Sequence, residues 1–168
     1  NVDSIKLTPY IPDCTYQFTL LTADAENVIG GKLNYTTKKA ADFSGYSVER
    51  EDMTFSMCLT PNKSNWKKKD VKDSDYTTDF KIEQSASFLV RLGVKPSSSK
   101  NKINVTMVIR DKQNQVVSFS SKESKWSSIW NKSYGCFNLP ALPKTAGEYT
   151  VTVYFNDAIA GHEEFRMN

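Results

Sequence analysis

Few residues in this 168-residue chain can do acid–base or nucleophilic chemistry. The one histidine, His162, sits in GHEEF, and three cysteines, Cys14, Cys58 and Cys136, are scattered along the sequence. A zinc-protease helix needs two histidines four residues apart with a glutamate between them to activate water. Here the fourth residue on is Arg166, and the segment alternates as a strand does. A Ser–His–Asp or Cys–His site would have to use His162, yet no Gly-x-Ser-x-Gly elbow or cysteine signature accompanies it. The 19 acidic residues leave a carboxylate pair open as a source of hydrolytic chemistry. The seven glycines are dispersed, and IGGKLNY lacks the spacing of a phosphate-binding loop. The expectation is a protein that is not an enzyme and needs no metal or cofactor; a hydrolase built on His162 or on carboxylates ranks third among the readings.

The remaining composition narrows the partners. A net charge of +3, with lysines interleaved among aspartates, is not the segregated basic face that nucleic acid selects. The densest basic run, Lys63 to Lys72 around Trp66, is partly neutralised by Asp70, Asp73 and Asp75 and reads as a solvated loop. No stretch approaches the roughly 20 apolar residues of a membrane helix. NVDSIKLTPY lacks the basic start and apolar middle of a signal peptide, and the expectation is that such a peptide has been removed. No CxxC or metal-ligand spacing links the cysteines, and three pairings among them stay open.

The elements that must position these residues are strands. Period-two alternation runs through TYQFTLL, KLNYTT, MTFSMCL, SASFLVRL, KINVTMVIR, QVVSFS, GEYTVTVYF and GHEEFRM. Each run is bounded by Gly, Pro, Asn, Asp or Ser. In GEYTVTVYF the inward set is Tyr149, Val151, Val153 and Phe155, with Thr150, Thr152 and Tyr154 outward and wet. The fold class is all-β, an antiparallel β-sandwich. Helix is expected only as a turn in KKAADF and across SKWSSIWNKSYGCF, where Trp126, Trp130 and Tyr134 recur every four residues. The polar stretch from Asn62 to Asp79 suggests a boundary between residues 1–78, a small β domain or strands added to the second half, and residues 79–168, a complete sandwich. VEREDMTFSMCLTPN and KIEQSASFLVRLGVKP echo one another across that boundary.

Leu142 to Phe155, LPKTAGEYTVTVYF, resembles the penultimate strand of an immunoglobulin-like or fibronectin-type-III-like domain. Those folds carry a glycine, any residue, then a tyrosine whose hydroxyl returns to the backbone and pins a corner. Gly147 and Tyr149 match. Val151 stands where antibody domains place a cysteine, so the antibody disulfide is absent. The resemblance covers about the last 90 residues. It implies Ig-like topology in the C-terminal half and architecture rather than activity. The strand, the Asn156–Asp157 turn and the closing Glu–Phe strand look most like modules of bacterial surface and exported proteins.

Two binding readings follow. An extracellular, cell-surface or periplasmic module that contacts a protein partner predicts Trp126 and Trp130 packed on the sandwich with Ile129 as a plug. A carbohydrate-binding module predicts at least two of Trp126, Trp130 and Tyr134 exposed and coplanar beside a polar groove, as a platform for a cell-surface glycan, since flat rings match sugar faces and aromatic anchors serve interfaces equally. The first is preferred, because apolar bulk between two strands packs more often than it protrudes.

Overall fold

The computed structural model describes residues 11, 14–21, 28–37, 41–42, 53–59, 76–92, 102–125, 134–156 and 158–168. Every regular element among them is a strand. The chain divides into two compact units, Asn1–Ala40 and Ala41–Asn168.

In the first unit β1 (Thr15–Leu21) pairs antiparallel with β2 (Val28–Thr36), with a bulge after Thr19. Tyr16 and Phe18 point to the same side and stack at 6.4 Å. Thr37 closes the base of the pair. Its amide donates to the Cys14 carbonyl at 2.8 Å, and its buried hydroxyl donates to the Ile11 carbonyl at 2.9 Å.

The second unit holds two sheets. β3 (Ala41–Asp42), β5 (Asp79–Phe80), β7 (Lys102–Asp111), β8 (Val116–Lys125), β10 (Gly147–Phe155) and β11 (Ala158–Met167) form one. Its main path runs β3-β11-β10-β7-β8, and β5 lies parallel to the far end of β11. β4 (Met53–Leu59), β6 (Ala86–Leu92) and β9 (Tyr134–Asn138) form the other, in the order β4-β6-β9. If β5 is counted first, β6 beside β9 and β7-β10-β11 are the pairings of an immunoglobulin-like sandwich. β8 extends the larger sheet, as in the variable-type arrangement. β4 and β6, from the two echoing segments, lie side by side and pair across the polar Asn62–Asp79 stretch.

Alternation explains the core between the sheets. β7 contributes Ile103, Val105, Met107 and Ile109; β10 contributes Tyr149, Val151, Val153 and Phe155; β6 contributes Phe88 and Val90. Phe80, Phe165 and Met167 close one end, with Phe80 meeting Phe165 edge-on at 5.8 Å. The turns follow from side-chain chemistry. Between β7 and β8 the Asp111 carboxylate accepts the amides of Gln113 and Gln115, both at 2.9 Å. Asn114 then takes φ 61°, the left-handed step that Asn tolerates. Asn156 takes φ 55° at the end of β10, and its carboxamide oxygen accepts the Asn104 amide at 3.0 Å.

Three expectations are corrected. The face of β10 away from the core is not wet throughout: Tyr154 is fully buried and Thr152 nearly so. Beside them on β7, Val108, Thr106 and Arg110 are also buried, and Arg110 Nη1 donates to the Tyr154 hydroxyl at 3.1 Å. β6 behaves alike, with Ser87 and Leu89 buried opposite Phe88 and Val90. Alternation of polarity marks which residues share a face; it does not show that the less apolar face meets water. The second correction concerns helix. Tyr134 begins strand β9, and Ser124 and Lys125 end strand β8, so four-residue periodicity does not extend through SKWSSIWNKSYGCF. The third is that Ala41–Asp42 pairs parallel to β11 and forms no helical turn.

If the second face of β10 is dry, Tyr154→Ala should lower stability by about 3–5 kcal/mol, the range for large core truncations. A chemical-denaturation loss below about 1 kcal/mol would instead be the behaviour of an open surface.

Candidate functional site

The residues singled out by sequence are placed as follows. Trp126 and Trp130 lie outside the described residues, as does the side chain of Tyr134, whose backbone pairs with Arg91. β8 ends in one sheet and β9 begins in the other, so residues 126–133 join the two sheets.

Gly147 and Tyr149 lie at the start of β10. Tyr149 is 7% exposed, its ring stacks on Phe165 at 5.7 Å, and its hydroxyl donates to the Thr145 carbonyl at 3.1 Å. The Thr145 hydroxyl meets the same oxygen at 2.7 Å. The ring covers Gly147, where an added Cβ would lie 3.5 Å from it. A buried phenol needs such a partner, and here the partner is four residues back along the connection that β10 leaves.

Just outside this corner is an open groove of about 600 Å³ lined by Asp79, Asp111, Lys112, Glu148, Glu164 and Arg166, among others. Strand register brings Glu148 opposite Arg166, and the β7–β8 turn delivers Lys112. Glu148 bridges both cations, at 2.6 Å to Lys112 and 2.9 Å to Arg166. Hydrogen bonding from Lys112, then from Arg166, holds its carboxyl below the ordinary range. Asp111 is engaged in its turn. Lys112, Glu148 and Arg166 thus answer one another, while Asp79 and Glu164 also line the groove. Sequence could not expose this group, because Lys112, Glu148 and Arg166 meet only through pairing.

The catalytic constellations can be located too. His162 is exposed on β11 opposite Thr152, on the face away from the core. Cys136 lies opposite Leu89, which alternates with the core residues Phe88 and Val90, so it is on the outer side of the other sheet. The sandwich separates the two, and a Cys136–His162 pair does not form. Cys14 carries a free thiol. Cys58 lies opposite Ser87 and Cys136 opposite Leu89, on either side of β6, so two strand spacings alone put them at least about 9–10 Å apart, beyond disulfide reach. Among the described residues no cluster of three or more His, Cys, Asp or Glu is arranged to hold a metal. No described helix is long and apolar enough to cross a membrane.

A different feature stands out at the other side of the sheet. β8 is the terminal strand, and it exposes Val117 at 44% and Phe119 at 46%. Phe119 is opposite the buried Val108, on the same face as Tyr154 and Arg110.

These features define an immunoglobulin-like β-sandwich module. No family model matches the chain, and no curated protein matches it. It is similar to a solved structure, an immunoglobulin-like protein from Pseudomonas aeruginosa, at 10% identity and a TM-score of 0.40, over 69% of this chain and 91% of that one.

Two outcomes follow from this geometry. Tyr149→Phe should cost about 1 kcal/mol, the net worth of one buried hydrogen bond, read by chemical denaturation. Glu163 lies opposite Val151, and burial, with a contribution from Glu164, pushes its carboxyl above the ordinary value despite nearby His162. A raised folded-state pKa contributes stability below the unfolded-state value and loses it as pH rises through the folded one. Glu163→Gln should therefore raise Tm near pH 7 and leave it unchanged near about pH 3.

Proposed function

We propose that this chain is a non-catalytic Ig-like module of an exported or surface-associated protein, acting by contact with a protein partner. The observation that supports the reading is the β8 edge, where two large apolar side chains stand in water at the end of an otherwise packed sheet. Lone exposed apolar residues are ordinary, but a pair two residues apart beside unpaired backbone is the composition of a contact strand. In the polar groove at the strand ends both cations, Lys112 and Arg166, are already paired with Glu148.

The test is proximity labelling in the cells that make the protein, comparing the natural chain with Val117→Lys/Phe119→Lys. Both positions are exposed, so the double variant should keep its Tm within about 1–2 °C while losing a defined set of labelled neighbours. An unchanged neighbour set from a natural chain that also does not self-associate would overturn the contact reading. Recovery of the chain wholly in the cytoplasmic fraction would overturn export.

A further inference from the structure

We infer that the β8 edge pairs with β8 of a second copy of this chain, antiparallel, about a twofold axis passing through Phe119. The inference rests on the contact reading above and names the partner.

The backbone makes β8 receptive. Asn104 of β7 directs its amide to the Asn156 carboxamide and its carbonyl to the Asn156 amide, so its peptide groups face β10. By alternation, Ile103, Val105, Met107 and Ile109 face β8, where their partners are Ser124, Lys122, Ser120 and Ser118. The peptide groups of Phe119, Ser121 and Glu123 therefore point away from β7, and no described strand pairs with them. The strand Val116–Lys125 contains no proline, and its one bulge lies at the turn end, opposite Arg110. Edges of this length are normally blunted by such devices in mid-strand.

The side chains choose the partner and the register. One half of β8, Val116 to Phe119, is apolar apart from Ser118; the other half carries Lys122 and Glu123. An antiparallel twofold neighbour presents the same face on the same side, so Phe119 can meet only residues of its own parity. With the axis at Phe119, the two phenyl rings are opposite one another. Aromatic–aromatic pairs of this kind stabilise sheets. Val117, the residue the bulge leaves without a partner on β7, lies just beyond them. The charged halves then point apart: each Lys122 is six residues along the strand from its mate, about 20 Å, beyond the Debye length of about 8–10 Å. Sliding to longer overlap, about Ser120 or Ser121, sets each Phe119 opposite Ser121 or Glu123 of the mate and draws the two Lys122 side chains together, which opposes those registers. Glu123 is already held at 2.7 Å by Lys102 of its own chain, so it does not seek a partner across the axis.

Analytical ultracentrifugation of the full chain should show a weight-average mass rising towards the dimer with concentration. Phe119→Lys should remain monomeric over the same range with its Tm unchanged. Mild oxidation should convert Phe119→Cys to a covalent dimer, above the background of the natural cysteines, while Glu123→Cys should give none. A natural chain monomeric to about 1 mM, a concentration at which even weak pairing shows, would overturn the proposal, as would crosslinking through Glu123→Cys in preference to Phe119→Cys. The labelling experiment scores neighbours other than this chain, so the contact reading and the second-copy proposal fail separately.

Discussion

The structure of the larger unit depends on β10 being desolvated on both faces from Val151 to Phe155. Its inner residues, Val151, Val153 and Phe155, are packed against the opposing sheet, while Tyr154 is buried on the reverse side. A strand so enclosed must have every peptide group paired, because an unsatisfied buried amide costs about 1–3 kcal/mol. β7 and β11 supply that pairing along the length of β10, from Tyr149 to Phe155 on one side and from Gly147 to Phe155 on the other. Register is thereby fixed, since a slip of one residue would exchange Val151 and Val153 for Thr150 and Thr152 in the core. The corner at Tyr149, the bulge at Ala160 and the Asn156 turn are local solutions to bringing two neighbours onto one such strand.

Much of this was legible in the residues. GEYTVTVYF and KINVTMVIR carried their strand identity and their inward sets in plain alternation, and β4, β6 and β1 lie where alternation put them. The all-β sandwich class was legible for the same reason, because turn residues punctuate the strands at sandwich spacing, and the Ig-like resemblance rested on Gly147 and Tyr149. What alternation could not show was the second dry face. Val108 in KINVTMVIR, wedged between Met107 and Ile109, was the available sign, since consecutive apolar residues mark a strand buried on both sides. Arg110 and Tyr154 gave no sign, because a guanidinium and a phenol are wet in most settings and here satisfy each other at 3.1 Å. The short strands escaped as well. β9 begins within a stretch whose aromatic spacing imitates a helix, and β3 and β5 are two residues long, below any period.

The same logic separates the two ends of the larger sheet as surfaces. Around Glu148 one carboxylate holds two cations, Asp111 is held by its own turn, and Asp79 and Glu164 line the same groove. Such exposed pairs add little stability in water, and both cations are already matched. The groove is therefore a consequence of where three strands and a turn end, shaped by register and not by chemistry directed at a substrate. His162 and Cys136, the residues with most chemical potential, are kept apart by the thickness of the sandwich itself.

At β8 the balance is reversed. The sheet's main path ends there, so among the described residues no strand pairs with the peptide groups of Phe119, Ser121 and Glu123, and Val117 and Phe119 beside them are exposed. Serines fill the intervening positions: Ser121 shares a hydrogen bond with Thr106 at 2.8 Å, and Ser118 donates to the Ala141 carbonyl at 2.7 Å. The first of these bonds ties β8 to β7, and the second ties it to the connection before β10. A strand held in this way needs little further ordering before another strand joins it, so the entropic cost of association falls mainly on rigid-body freedom. The constraint that closes the core at β10, complete backbone pairing, is the one left unmet at β8, and the residues placed there are those a neighbouring strand would cover.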